Sequence, residues 1–191
     1  GNLNSTTIDS PTFTPTSSGS FILNYLVTDA NGCTANDAIN IQVNSVPDAT
    51  INPIGPFCLA DPAVNLTSAT PGGIFTGSGV TSSSFNPSIG AGTHMIYYNI
   101  TDVNGCSDSD SLVAIVSSNY DASILPAGPF CSADSSVDLS AANIGGIWSG
   151  NGITDINSGT FDPGVAGTGT FDITYTIFAT CGDSDTLSIT V

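Results

Sequence analysis

Three residue types in this chain could do chemistry. They are sixteen acidic residues, all of them Asp, five cysteines, and one histidine, His94. The densest acidic run is DVNGCSDSD at 102–110. Asp102, Asn104, Asp108 and Asp110 are hard oxygen donors of the kind that Ca²⁺ takes, six to eight at a time. The run lacks the closing bidentate Glu of a familiar calcium loop, because the chain has no Glu at all. The competing reading is an Asn-Gly turn in which Asp102 binds its own backbone. Calcium is therefore the one cofactor to consider, and the turn is the favoured explanation.

Other chemistry finds few carriers. With a single His there is one candidate base, and the absence of Lys removes Schiff-base catalysis. No glycine-rich phosphate loop is present. Paired Asp carboxylates can hydrolyse glycosides, but here they fall where turns are expected. The expectation is a chain without catalytic residues.

Charge narrows the partners. The formal charge is −16, with neither Lys nor Arg. Nucleic acid is bound by releasing counterions from phosphates to basic side chains, and anionic bilayers attract the same side chains. Both partners are excluded on this reading. No apolar run approaches the ~20 residues of a membrane-spanning helix.

The elements that position these residues repeat. DANGC at 29–33 returns as DVNGC at 102–106, DATINPIGPFC at 48–58 as DASILPAGPFC at 121–131, and GGIFTGSGV at 72–80 as GGIWSGNGI at 145–153, each 73 residues on. FNP at 85–87 answers FDP at 161–163. Residues 48–116 and 121–191 then read as whole repeats. Residues 1–43 match only the second half of the unit, as the tail of a repeat whose front half would lie upstream. The linkers, 44–47 and 117–120, are short and equal, which favours a semi-rigid array.

Each whole repeat carries one cysteine after GPF and one at its last corner. The expected bridges are Cys58–Cys106 and Cys131–Cys181, with Cys33 left over because its partner belongs to the absent front half. A reactive thiol or metal ligand is the alternative for these cysteines, although no CxxC or neighbouring His supports it. Paired cysteines imply an oxidising, extracytoplasmic compartment.

A composition rich in Thr, Ser, Gly, Val and Ile but without Glu, Lys or Arg favours strands and turns over helices. In 121–191, strands are expected near 122–125, 136–140, 146–149, 159–161, 169–179 and 185–191. Phe171, Ile173, Tyr175 and Ile177 alternate with polar residues, as do Leu187, Ile189 and Val191. NG between the two long strands marks a hairpin turn. His94 aligns with Phe21 and Phe171 on the inward face, as a packed residue. Phe75 and Trp148 align after Gly-Gly as core aromatics. The expected fold is all-β, made of tandem immunoglobulin-like β-sandwich repeats, each with one disulfide.

The run YLVTDANGC…INIQV at 25–43, matched at 98–116, resembles the end of the PKD and hyalin-repeat branch of immunoglobulin-like domains. The fuller pattern, GPFC…GGIFTGSGV…FNP…DVNGC, resembles the bacterial Ig-like repeats of very large Bacteroidetes surface proteins. Those are adhesin-like or gliding-motility proteins exported by the type IX secretion route. FATCGD at 178–183 departs from the pattern by lacking the Asp and Asn of DVNGC. The resemblance implies a non-catalytic structural or adhesive module of a long extracellular stalk or filament. Its partners would be neighbouring repeats, other filament subunits, a polysaccharide or another cell surface. The alternatives are a calcium- or carbohydrate-binding module and an accessory repeat of a secreted hydrolase. The resemblance also implies O-glycan acceptors in Asp-Ser/Thr-apolar triplets, which places Ser111 (110–112) and Thr186 (185–187) as candidates. N-x-S/T sequons at Asn4, Asn65 and Asn99 matter only in a eukaryotic secretory host.

Overall fold

The computed structural model describes residues 2–7 and 10–191. Among the described residues strands dominate, and the two helical elements are single turns, Pro87–Ile89 and Pro163–Ala166. Both begin in the same way. The side chain of Asn86, or of Asp162, accepts the first free backbone N–H groups, and a proline follows at the first helical position. That position has no N–H bond to lose, so proline is tolerated there.

Contacts divide the chain into two compact units. One comprises Gly1–Asn52, Leu66–Thr76 and Tyr97–Leu112; the other comprises Pro53–Asn65, Gly77–Ile96 and Val113–Val191. The range 48–116 contributes segments to both. Its strands Phe57–Cys58, Ser107–Ser117, Gly92–Thr101 and Ile74–Gly77 form one sheet in that order. Val64–Asn65, Ser84–Phe85 and Val80–Thr81 form another.

Residues 121–191 build two sheets around one core. Ile147–Ser149, Thr170–Thr176 and Ser184–Thr190 lie side by side in one; Val137–Asp138, Thr160–Phe161 and Ile153–Asp155 make the other. The long hairpin is in continuous register from Thr170↔Thr190 to Thr176↔Ser184. Its alternation is the expected one. Ile173, Tyr175, Ile177 and Ile189 are buried together with Trp148 and Phe161, while Asp172 faces solvent. The strand Ile153–Asp155 lies outside the strands expected from the sequence. It forms because Ile153 packs on the core from a strand that Phe161 pairs with.

The Gly-Gly pairs have a steric cause. A Cβ on Gly146 would stand 2.6 Å from Thr176 O and from the Tyr175 ring; on Gly73 it would stand 2.3 Å from Asn99 O. Each tyrosine closes over its glycine. Tyr175 Oη accepts the Gly146 N–H at 2.7 Å and donates to Asn143 O at 3.0 Å. Tyr98 does the same with Gly73 at 2.7 Å and Thr70 O at 2.8 Å.

The first hairpin, Gly19–Thr28 with Thr34–Val43, is in register throughout, but among the described residues nothing covers its inward side chains. Tyr25 is 57% exposed and Ile39 61%, whereas Tyr98 and Tyr175, at the positions matching Tyr25, are 1% and 3% exposed.

The cysteine pairing departs from expectation. One disulfide is present, Cys58–Cys181, with Cα atoms 5.5 Å apart across 123 residues of sequence. Cys33, Cys106 and Cys131 carry free thiols. Neither Cys58–Cys106 nor Cys131–Cys181 forms, and the reason is strand length. Cys181 precedes the strand Ser184–Thr190, whereas the Phe130 N–H beside Cys131 donates to Thr190 O at its far end. Seven residues of strand span about 23 Å at ~3.3 Å each, and a bridge needs Cα atoms within about 7 Å. Cys58 likewise pairs with Ser117 at the end of Ser107–Ser117, while Cys106 precedes its start.

Candidate functional site: acidic corners, carboxylate latches and a stapled joint

The corner at 102–106 is closed by its own aspartate. Asp102 Oδ1 accepts the backbone N–H groups of Asn104 at 2.9 Å and Cys106 at 2.8 Å. Its own N–H donates to Cys106 O at 2.9 Å, and its carbonyl accepts from Gly105 at 3.1 Å. Asp29 makes the same pattern with Asn31 and Cys33. Gly32 and Gly105 both sit at φ +83°, the left-handed conformation this turn demands. At 177–183 the Asp is missing, and the corner is held by backbone alone, Ile177 N–H to Asp183 O and Gly182 N–H to Ala179 O. There Gly182 is indispensable, because a Cβ would lie 2.0 Å from Ile177 O.

The next carboxylates do something the sequence did not suggest. Asp108 and Asp110, two apart on one strand, present side chains on one face. Asp108 Oδ2 accepts the Ala49 N–H at 2.9 Å, and Asp110 Oδ2 the Ile51 N–H at 2.8 Å. Asp183 and Asp185 hold Ala122 and Ile124 in the same way, at 3.0 and 2.8 Å. The opposite edge of each held segment bonds to backbone: Asn52 N–H to Thr67 O and Ala69 N–H to Thr50 O, and Leu125 N–H to Ser140 O and Ala142 N–H to Ser123 O. The carboxylates thus substitute for a missing neighbouring strand. They satisfy N–H groups that would otherwise be buried unpaired or form an open sheet edge. A signal existed in the sequence: D-S-D spaced two apart, opposite D-A-[TS]-I, in both copies.

This use gives the calcium candidates a structural role of their own. Asp102, Asp108 and Asp110 each spend an oxygen on backbone N–H groups, and Asn104 donates its amide N–H to Asp102 Oδ2 at 3.4 Å. Among the described residues no three His, Cys, Asp or Glu side chains gather where a metal ion could sit. The four candidates serve a turn and a latch, and they do not converge.

Hydrogen bonding also tunes acidity. At Asp48 and Asp121 the hydroxyl and backbone N–H of Thr50 and Ser123 hold the carboxyl below its ordinary range. At Asp155 the N–H groups of Asn157 and Ser158 do so. At Asp102 desolvation at the corner pushes upward, but the combined bonds from Cys106, Asn104 and Gly105 outweigh it and the pKa is lowered.

The remaining candidates are placed as follows. Ser111 and Thr186 are exposed on the outer faces of their strands, and Thr186 Oγ1 lies 3.1 Å from Thr174 Oγ1. His94 is half-buried on the inward face, with Nε2 2.8 Å from Gly90 O and its ring 6.0 Å from that of Phe85. Phe75 and Trp148 are buried against Tyr98 and Tyr175, with ring centroids 4.4 and 4.5 Å apart. They pack and do not form a stacking platform. Asn4 is tied to Thr12, whose N–H its Oδ1 accepts at 2.8 Å, and Asn65 lies in a strand.

The disulfide gathers three segments. Leu59 N–H donates to Ser117 O at 3.0 Å, Ala60 N–H to Asn119 Oδ1 at 3.3 Å, and Tyr120 N–H to Cys181 O at 3.0 Å. Cys58 Sγ lies 3.5 Å from Thr180 O. Residues 57–60, 117–120 and 179–181 therefore meet at one covalent node. A cavity of about 650 Å³ opens beside it, lined by Ser117, Asn119, Tyr120, Asn143 and Thr180 among others, with no carboxylate or imidazole. No helix is long and apolar enough to cross a membrane among the described residues. No protein-family model matches the chain, and no curated protein matches it.

Proposed function

We propose that this chain is a structural module of an extracellular surface stalk or filament, built from tandem immunoglobulin-like repeats, and that it serves adhesion or cell–surface contact by reach and stiffness. The observation that carries this reading is the Cys58–Cys181 bond. It joins the front of the range 48–116 to the last corner of the range 121–191, with the linker 117–120 held between them. On the repeat reading, that bond is a joint between consecutive units. A covalent joint restricts the freedom between the segments it links, which suits a stalk better than a flexible tether. The bond requires an oxidising compartment. The acidic surface, free of Lys and Arg, leaves trypsin no site and repels polyanions. The likeness of the GPFC and DVNGC motifs to large Bacteroidetes surface proteins supports the same setting.

The test is made on the source cells. Antibody raised to this chain is expected to label intact, unpermeabilised cells, and deletion of the encoding repeats is expected to weaken attachment to surfaces or to other cells. Label that appears only after permeabilisation would overturn the proposal.

A further inference from the structure

The five cysteines fall into two kinds by local setting. Cys58 and Cys131 are front cysteines, each following GPF; Cys33, Cys106 and Cys181 are corner cysteines. The one bond present joins a front cysteine to the corner cysteine of the following repeat. Cys131 is presented as Cys58 is. Asp61 Oδ2 accepts the Cys58 N–H at 2.8 Å, and Asp134 Oδ2 accepts the Cys131 N–H at 2.7 Å. In each case the aspartate N–H returns to the cysteine carbonyl, at 3.0 and 2.9 Å. Each front segment also docks on the end of its own long final strand, Leu59 N–H on Ser117 O and Phe130 N–H on Thr190 O, both at 3.0 Å. Cys131 is exposed and free.

We propose that Cys131 is the front half of a second joint, which forms a disulfide with the corner cysteine of a further unit of this repeat type on the same polypeptide. By the same rule Cys106 and Cys33 are corner halves that receive front cysteines of preceding units. One rule, front cysteine to next corner, then accounts for all five residues, including the three free thiols. It makes the array a covalently continuous ladder, in which every joint is bridged and no unit is closed on itself. Formation of each bridge removes two protons and two electrons from a pair of thiols. A disulfide-class oxidant such as oxidised glutathione takes them up and leaves as two thiols. The inference rests on the tandem-repeat reading above.

The test extends the chain. Residues 1–191 followed by a second copy of 117–191 are oxidised in glutathione buffer, free thiols are alkylated, and a non-reducing digest is mapped by mass. The expected product links Cys131 to the added corner cysteine, and the thiol count stays at the three of the parent chain. Alkylation of both, or a bridge between the two added cysteines, would overturn the proposal. A second measurement needs no added unit. In the concentrated parent chain, oxidation is expected to join Cys131 of one molecule to Cys33 or Cys106 of another. A Cys131–Cys131 dimer, or none, counts against it. Either failure leaves the Cys58–Cys181 joint, and the function proposed from it, in place.

Discussion

Asp185 holds the backbone of Ile124: its Oδ2 accepts the Ile124 N–H at 2.8 Å, across 61 residues of sequence, and Asp110 holds Ile51 at the same distance. Ile124 is buried and pairs with Ala141 on its other side. Asp185→Ala strands a buried N–H, which costs about 1–3 kcal/mol. Thermal unfolding is expected to shift down by several degrees. Asp185→Asn keeps an acceptor oxygen and is expected to lose less than half as much. Equal losses in the two variants would show that charge, and not acceptance, matters.

The staple gives the largest effect. Loop-closure entropy for 123 residues corresponds to about 5 kcal/mol in the chain-entropy model. Cys58→Ser and Cys181→Ser are each expected to lower the urea midpoint strongly and by equal amounts, and the double variant to lower it no further. Cys106→Ser is expected to leave it unchanged. An effect of Cys106→Ser equal to that of Cys58→Ser would restore the intra-repeat pairing.

Gly146→Ala places a methyl 2.6 Å from Thr176 O and the Tyr175 ring, neither of which can move without opening the core. A loss of about 3 kcal/mol or more is expected, in the range of an overpacked core site. Tyr175→Phe removes only the hydroxyl shared by Gly146 and Asn143 and is expected to cost about 1–2 kcal/mol. Denaturant unfolding followed by Trp148 fluorescence reads both.

Acid acts through Asp48, Asp102, Asp121 and Asp155. Their folded pKa values lie below the ordinary carboxyl value of 3.8, so the folded state binds protons less readily than the unfolded one. Their stabilisation is complete above that value and is lost as pH falls through the lower folded values. Protonation also relieves repulsion within a chain of charge −16, and salt screens that second effect. At 0.5 M NaCl the melting temperature is expected to be level from pH 8 to 5 and to fall below pH 4. At low salt the fall should be shallower. A rise below pH 4 in high salt would contradict the assignment.

Calcium is expected to do nothing. The oxygens of Asp102, Asp108 and Asp110 already accept backbone N–H bonds, so millimolar Ca²⁺ or EDTA should leave the melting temperature unmoved and calorimetric titration without heat. A calcium-dependent rise of several degrees would reopen the site.

The fold class, the alternation of Phe171, Ile173, Tyr175 and Ile177, and the Asn-Gly corners closed by Asp29 and Asp102 were legible in the sequence alone. Each is local chemistry, fixed by the two-residue period of a strand or by a turn of a few residues. Pairing of the cysteines was not, although their 73-residue spacing was plain. Which sulfurs meet depends on how far a strand carries its two ends apart and on what docks at each end. Repetition in sequence says that Cys58 and Cys131 have equivalent surroundings; only three-dimensional placement decides that the partner of Cys58 is the corner at 181. The same holds for Asp108, Asp110, Asp183 and Asp185, whose acceptors' value lies in backbone segments some 60 residues away, brought alongside by the packing of the core.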